Sequence, residues 1–241
     1  KSGFWESIRT VAYAVVVALV VRTAAFEPFN IPSGSMLPTL LVGDYLFVAK
    51  YSYGYSRYSL PFGLPLIEGR IFAREPARGD VAVFKLPSDN KTDYIKRIVG
   101  LPGDRIQMRE GRLYINDTLI ERERIGDFVA TDGPSVMRLA QFVETMPSGR
   151  QHRILEASDT MPLDNTRVYV VPPRHFFAMG DNRDNSLDSR VLNGVGFVPF
   201  ENLIGRAEFL FFSTDGSAQL WEVWKWPFGI RYGRLFQAVS P

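Results

Sequence analysis

RGDVAVFKLP (residues 78–87) and DYIKRIVG (residues 93–100) decide the fold. Each is a short run rich in Val, Ile, Phe or Tyr, bounded by Gly, Pro, Asp or Ser, and each reads as a β-strand. LPGD (101–104) follows, with the Pro-Gly pair of a type II turn. RIQMREGRLYINDTLI (105–120) then predicts a hairpin turning at Gly111-Arg112. Further out, strands are expected over 40–50, 168–172 and 203–212. The body of the chain shows almost no amphipathic helical period, so the fold class is mainly β.

Two stretches break this rhythm. YSYGYSRYSLPFGLPLIEG (51–69) alternates Tyr with Ser and Gly before a run of prolines, and predicts a β-ribbon or long loop. It suits either a membrane interface or packing on the sheet. Residues 121–166 are more polar and less periodic, and predict an inserted smaller subdomain. At the C-terminal end, Trp221, Trp224 and Trp226 with Phe228, Tyr232 and Phe236 interleave with Lys225, Arg231 and Arg234. That mixture suits a membrane–water interface.

Residues 10–26, TVAYAVVVALVVRTAAF, are apolar apart from Arg22 and the flanking threonines. About 17 residues is the lower limit for a spanning helix, and Arg22 lies where a long side chain can reach the headgroups. A transmembrane anchor is expected here. A cleavable leader ending near Thr23 and Ala25, or a buried core helix, are the alternatives. Lys1 and Arg9 ahead of the run favour an N-terminus on the cytoplasmic side.

Composition narrows the chemistry. The 241 residues are 46% apolar and 22% charged, enough for a real core. Net charge is only +2 and the basic residues are scattered, which argues against nucleic-acid binding. With no cysteine there is no disulfide, thiol nucleophile or Cys-ligated metal. The two histidines, His152 and His175, are too few for a zinc site. GDNRDNSLDSR (180–190) fails the EF-hand calcium pattern because Ser186 or Ser189 stands where glycine is required. No metal or cofactor is expected.

Serine and lysine remain. A neutral lysine amine can activate a serine hydroxyl once burial has removed its proton. Ser88 and Lys91 match S-x-x-K, but they sit in a polar stretch that reads as a solvated turn. Ser35 follows Gly34 in a proline-rich segment, and Lys96 shares a strand face with Tyr94 and Ile98. Read on its own, Lys96 fits a solvated edge position as well as a buried base.

PSGSMLPTL (32–40), RGDVAVFKLP, DYIKRIVGLPGD and GDNRDNSLDSR together resemble, in order, the boxes of the bacterial type I signal peptidase family. The resemblance spans residues 28–212, with no departure at a catalytic position. It implies a signal-peptidase-like β-barrel or sandwich, with an inserted smaller β domain and a β-ribbon, behind an N-terminal transmembrane helix. The implied domains are an anchor (1–26), a catalytic domain in two parts (27–103 and 173–215, with the ribbon at about 51–69), an inserted non-catalytic β domain (104–172) and an aromatic interface tail (216–241).

By the same resemblance Ser35 is the nucleophile and Lys96 the general base. Ser33 shares the oxyanion hole, Ser186 orients the lysine, and Arg97, Asp181, Asp188 and Arg190 brace the site. Phe29, Ile31, Met36, Leu40, Val83, Tyr94 and Ile95 match positions near the substrate pockets. The implied activity is removal of signal peptides after a small-x-small site, on the outer side of the bacterial cytoplasmic membrane. The implied partners are preproteins, membrane phospholipid and the secretion translocon. A Ser–Lys autoprotease of the SOS-repressor kind and a membrane-tethered, non-enzymatic β binding module are the rivals.

Overall fold

A computed structural model describes residues 2–60, 63–132, 135–217, 222 and 224–239. The side chains at 2, 18, 20–24, 130–132 and 135 lie outside the description as well. Helix α1 covers Ser2–Ala24. Six strands follow: β1 (Phe26–Asn30), β2 (Asp44–Ala49), β3 (Tyr55–Ser56), β4 (Arg70–Ile71), β5 (Val81–Lys85) and β6 (Asp93–Gly100). A second group holds β7 (Arg105–Arg109), β8 (Arg112–Ile115), β9 (Thr118–Leu119), β10 (Arg122–Asp132), β11 (Ser135–Thr145), β12 (Gln151–Glu156) and β13 (Tyr169–Val170). β14 (His175–Met179), β15 (Val198–Pro199) and β16 (Leu203–Ser213) close the body, before a one-turn helix, α2 (Trp226–Gly229). The mainly β class is as expected.

The central sheet has seven strands in the order β1-β2-β16-β5-β6-β14-β15. β5 and β6 lie in its middle, so β5 is buried along almost its whole length. Its side chains alternate between two cores: Val81 and Val83 pack with Met36, Leu40 and Leu46, while Ala82 and Phe84 pack with Ile98 and Phe176. A strand covered on both faces reads as a continuous apolar run, as VAVF does. The turn at 101–104 is also as expected: Gly103 has φ +86° and the Asp104 amide donates to the Leu101 carbonyl at 3.0 Å. The β7–β8 turn falls one residue earlier than expected, on Glu110 and Gly111, both with positive φ.

All strands of two smaller sheets, β13-β7-β8-β9 and β10-β11-β12, come from residues 105–170. The core of the first, Ile106, Met108, Leu113 and Ile115, also takes in Val99 of β6, Phe177 and Met179 of β14, and Met146 just after β11. That sheet is therefore fused to the seven-stranded sheet through apolar packing.

Two expectations read differently in the structure. Among the described residues of 51–69 there is no extended ribbon, and the long-loop alternative fits better; they hold short 3₁₀ turns and the two-residue strand β3, paired with β4. Gly54 shows why: at φ +80°, a Cβ there would lie 2.4–2.7 Å from backbone atoms of Ile71 and Phe72. The long ribbon is instead β10–β11, in the stretch read as aperiodic. Ile125, Val129, Val136 and Met137 of this ribbon face solvent, while Leu139 and Glu144 are buried. Finally, α1 has 23 residues, but among the described residues no helix is long and apolar enough to cross a membrane.

The tail folds back along β16, with bridges Phe209–Ala238 and Thr214–Ile230. Trp221, one of its three tryptophans, lies outside the described residues.

Candidate active site

Lys96 sits on β6 opposite Ala82 of β5, in the middle of the sheet. Neighbouring strands and the Tyr94 ring, 5.2 Å from its amine, leave it 4% exposed. Burial disfavours the ammonium ion, and it wins over the opposing pull of Asp188 and Asp181, so the amine falls from 10.5 to about 8.

Ser35 lies on a 3₁₀ turn, Gly34–Met36, whose Met36 is fully buried and anchors it to the core. The turn is held from the other side by Asn182. Its amide donates to the Ser35 carbonyl (3.1 Å) and its side chain to the Gly34 carbonyl (3.0 Å). This places Ser35 Oγ 2.7 Å from Lys96 Nζ. Ser33 Oγ is 3.5 Å from Ser35 Oγ and solvent-exposed, on the open side of the dyad.

Ser186 is buried beside the same turn. Its Oγ has no hydrogen-bond partner among the described residues, so the orienting bond to Lys96 is not formed in this arrangement. Gly180 makes the closeness possible: a Cβ there would lie 2.2 Å from Ser186 Oγ and 2.5 Å from the Ser35 carbonyl oxygen.

Four buried charges brace the loop. Arg97, next to Lys96 and on the opposite face, grips Asp181 with two bonds of 2.8 and 2.7 Å. Asp181 also accepts from Thr39 at 2.5 Å. Arg190 grips Asp188 at 2.9 Å through both nitrogens, and Asp188 accepts from the Gly180 amide at 3.0 Å. Burial alone would raise both aspartates, but their arginines outweigh it and hold each below the ordinary carboxylate range.

A further layer was not visible in the sequence. Glu144 of β11 pairs with Arg183 at 3.0 and 2.5 Å and lies 3.2 Å from His152 of β12, its cross-strand neighbour. All three are buried. Burial, then the nearby Arg97, push His152 below its usual range and keep it neutral. Thr39, Asn182 and Arg183 lie inside the boxes 32–40 and 180–190 but were given no role there, and Glu144 lies in the polar stretch 121–166. Only the β11–β12 register brings Glu144 and His152 together, and only the return of the 181–190 loop brings Arg183.

A cavity of about 440 Å³ opens over the dyad, lined by Ser33, Ser35, Tyr94, Ile95, Lys96 and Leu187 among others. A second, of about 630 Å³, shares Asp93 with it and is lined by Phe29 and Tyr58. Of the seven residues matched to substrate pockets, Tyr94 and Ile95 line the first cavity and Phe29 the second. Ile31, Met36, Leu40 and Val83 belong to the buried core beneath. Ser88 and Lys91 lie on an exposed turn closed by Asp89, which accepts from the Lys91 and Thr92 amides.

The Ser35 hydroxyl thus lies against a buried amine, beside an open cleft. Residues 4–212 match the family model described as signal peptidase, peptidase S26, and the chain belongs to that family. It is 48% identical over 211 residues to "Signal peptidase I" of Rickettsia prowazekii (84% of this chain, 78% of that protein). With its counterpart in Rickettsia typhi the identity is 46% over 217 residues (87% and 80%). A solved signal peptidase I from Enterococcus faecalis V583 aligns with TM-score 0.32 and 24% identity, over 55% of this chain and 97% of that one.

Proposed function

We propose that this chain removes signal peptides from exported preproteins by a Ser35–Lys96 mechanism, after a small-x-small site. The observation that carries the reading is the 2.7 Å separation of Ser35 Oγ from the buried Lys96 Nζ. With an amine near 8, about a tenth of the molecules hold Lys96 neutral at pH 7, and about half at pH 8.

In the first half-reaction Ser35 Oγ attacks the scissile carbonyl carbon as its proton passes to Lys96 Nζ. The Ser35 amide and the Ser33 hydroxyl face the developing oxyanion. Lys96 then returns the proton to the leaving amine as the C–N bond breaks, leaving an ester on Ser35. In the second half-reaction water attacks that ester while Lys96 takes its proton, and the released serine recovers it. Arg97 with Asp181 and Arg190 with Asp188 fix the loop that holds Asn182 and Ser186. The half-buried Ile95 and Tyr94 narrow the cleft, which suits small side chains.

The catalytic body is held at the outer face of the bacterial cytoplasmic membrane. Phe4, Trp5, Val11, Tyr13, Val16 and Val17 of α1 are all exposed, as are Trp224, Phe228 and Phe236 of the tail. Such apolar surfaces favour a lipid environment. Residues beyond the dyad would receive a preprotein delivered by the translocon in the same membrane.

The test is cleavage of a purified preprotein in detergent by this chain, by Ser35→Ala and by Lys96→Met. Cleavage after the small-x-small site, lost in both variants, is the expected result. Cleavage that survives in Ser35→Ala would move the nucleophile elsewhere. No cleavage by any of the three, with lipid added, would favour a binding module.

A further inference from the structure

Behind the catalytic loop three carboxylates from distant parts of the chain converge. Glu156 ends β12, Asp164 lies in the following loop, and Asp184 lies on the 3₁₀ turn two residues before Ser186. Glu156 is 2% exposed and Asp164 0%. One oxygen of each group is already used. Glu156 Oε1 is 3.3 Å from Arg122, Asp164 Oδ2 accepts from the Met161 amide at 2.6 Å, and Asp184 Oδ2 accepts from the Ala157 and Ser158 amides at 2.7 and 3.1 Å.

The other oxygen of each is buried with no hydrogen-bond partner among the described residues: Glu156 Oε2, Asp164 Oδ1 and Asp184 Oδ1. The three groups each offer an oxygen within 4.8 Å of the others. Orphaned buried carboxylate oxygens are costly, and three facing one another add like-charge repulsion. The nearby arginines are largely engaged: Arg122 with Asp159 at 2.7 Å, Arg183 with Glu144, and Arg190 with Asp188. Burial pushes Glu156 up to about 8, which is the cost of its charge with no further counter-ion.

We propose that Glu156, Asp164 and Asp184 form a binding site for a hard divalent cation, calcium in the first place, that ties the inserted β layer to the catalytic loop. The donors are all oxygen, which selects against zinc and copper. Three protein carboxylates meeting at one point suit calcium, which takes many oxygen ligands in a flexible geometry, better than magnesium, which keeps several waters. The hydrogen bonds on the second oxygens fix the carboxylates in place, as outer partners do at metal sites. The EF-hand pattern misses this arrangement because only Asp184 belongs to the 180–190 loop. The other two ligands arrive from β12 and the segment after it.

Asp184 is the link to function. It shares its turn with Asn185, which lines the cleft, and Ser186, which sits against the Ser35 turn. A bound cation would stiffen that loop without touching substrate.

The experiment uses the full chain in detergent, stripped with chelator and titrated with CaCl₂, MgCl₂ or MnCl₂ alone. Calorimetry reads binding and thermal unfolding reads stability. One calcium per chain is expected, with Tm rising by about 5 °C or more at a hundredfold excess over Kd. Asp164→Asn and Glu156→Gln should each lose the calcium-dependent rise while still unfolding cooperatively. Magnesium should bind at least tenfold more weakly. A flat titration, or a rise that survives in both variants, would overturn the proposal. Either result would assign the free oxygens to bound water. Binding and Tm do not depend on Ser35, so the outcome is separable from the proposed peptidase mechanism.

Discussion

Replacing Lys96 with Met should abolish turnover and, at neutral pH, make the protein more stable. The sign follows from the linkage. Folding lowers the Lys96 amine from 10.5 to about 8, so the folded state releases its proton at lower pH than the unfolded chain. Below pH 8 both states are protonated and the whole burial cost of the ammonium ion is present. Between pH 8 and 10.5 the unfolded chain holds more protons, and wild-type stability rises with pH. Above 10.5 both states are neutral and the cost is gone.

The magnitude is a shift of 2.5 units, or about 3 kcal/mol at 1.36 kcal/mol per unit, and Lys96 is too buried for solvent to screen it away. Against it stands the loss of contacts from Nζ to Ser35 Oγ (2.7 Å) and the Ile95 carbonyl (3.0 Å), about 1 kcal/mol each. The net gain at pH 7 is therefore about 1 kcal/mol, or roughly 2–4 °C in Tm for a chain of this size. The contact loss does not vary with pH, so the difference between pH values isolates the ionisation. Urea unfolding of both proteins at pH 7 and pH 10.5 should show the balance moving against Lys96→Met by about 3 kcal/mol, from a small advantage to a deficit. An advantage that stays constant between the two pH values would refute the account of Lys96 as a buried, proton-shedding amine.

The same amine sets the acid limb of catalysis: kcat/KM on a preprotein should rise about tenfold per pH unit up to about pH 8 and then level. A limb centred near 6.5 would point to a histidine. Gly180→Ala should cut kcat/KM by about a hundredfold or more, because its Cβ would overlap Ser186 Oγ and the Ser35 carbonyl. Activity within tenfold of wild type would mean the loop yields freely. His152, held neutral by burial, contributes stability above pH 6.5 that is lost as the pH falls through 6.5, where the unfolded chain takes up its proton first. His152→Gln should flatten that loss in urea titrations between pH 7 and 5.

What the sequence made legible was local. β5 was readable because both its faces are covered and its apolar run is unbroken between turn residues, and β6 from the Tyr, Ile and Val residues on either side of Lys96-Arg97. The Leu101–Asp104 turn was readable because only glycine carries φ +86° cheaply. Ser35 and Lys96 stood out by their motifs, although only folding brings residues 61 positions apart to 2.7 Å. The β10–β11 ribbon left no trace because its apolar residues do not alternate with polar ones: Ile125, Val129, Val136 and Met137 face solvent, and the register slips between Arg124 and Gly126. The tyrosines of 51–69 pointed the wrong way for the opposite reason. Aromatic content favours strands, but Gly54 and the prolines turn the chain before a strand can extend.

Charge was the least legible layer, because its effect depends on pairing. Asp181 and Asp188 both act to keep Lys96 protonated. Read from sequence, two aspartates near a lysine imply an ordinary ammonium ion, and an idle base. In the folded chain each aspartate is already gripped by an arginine, Arg97 or Arg190, through two nitrogens. Their negative charge is largely spent at short range, so burial decides the amine's state. Buried pairs of this kind add little net stability, since desolvation consumes most of what the contact returns. Their value here lies elsewhere: they let a carboxylate-rich loop be packed against a lysine without holding its proton in place.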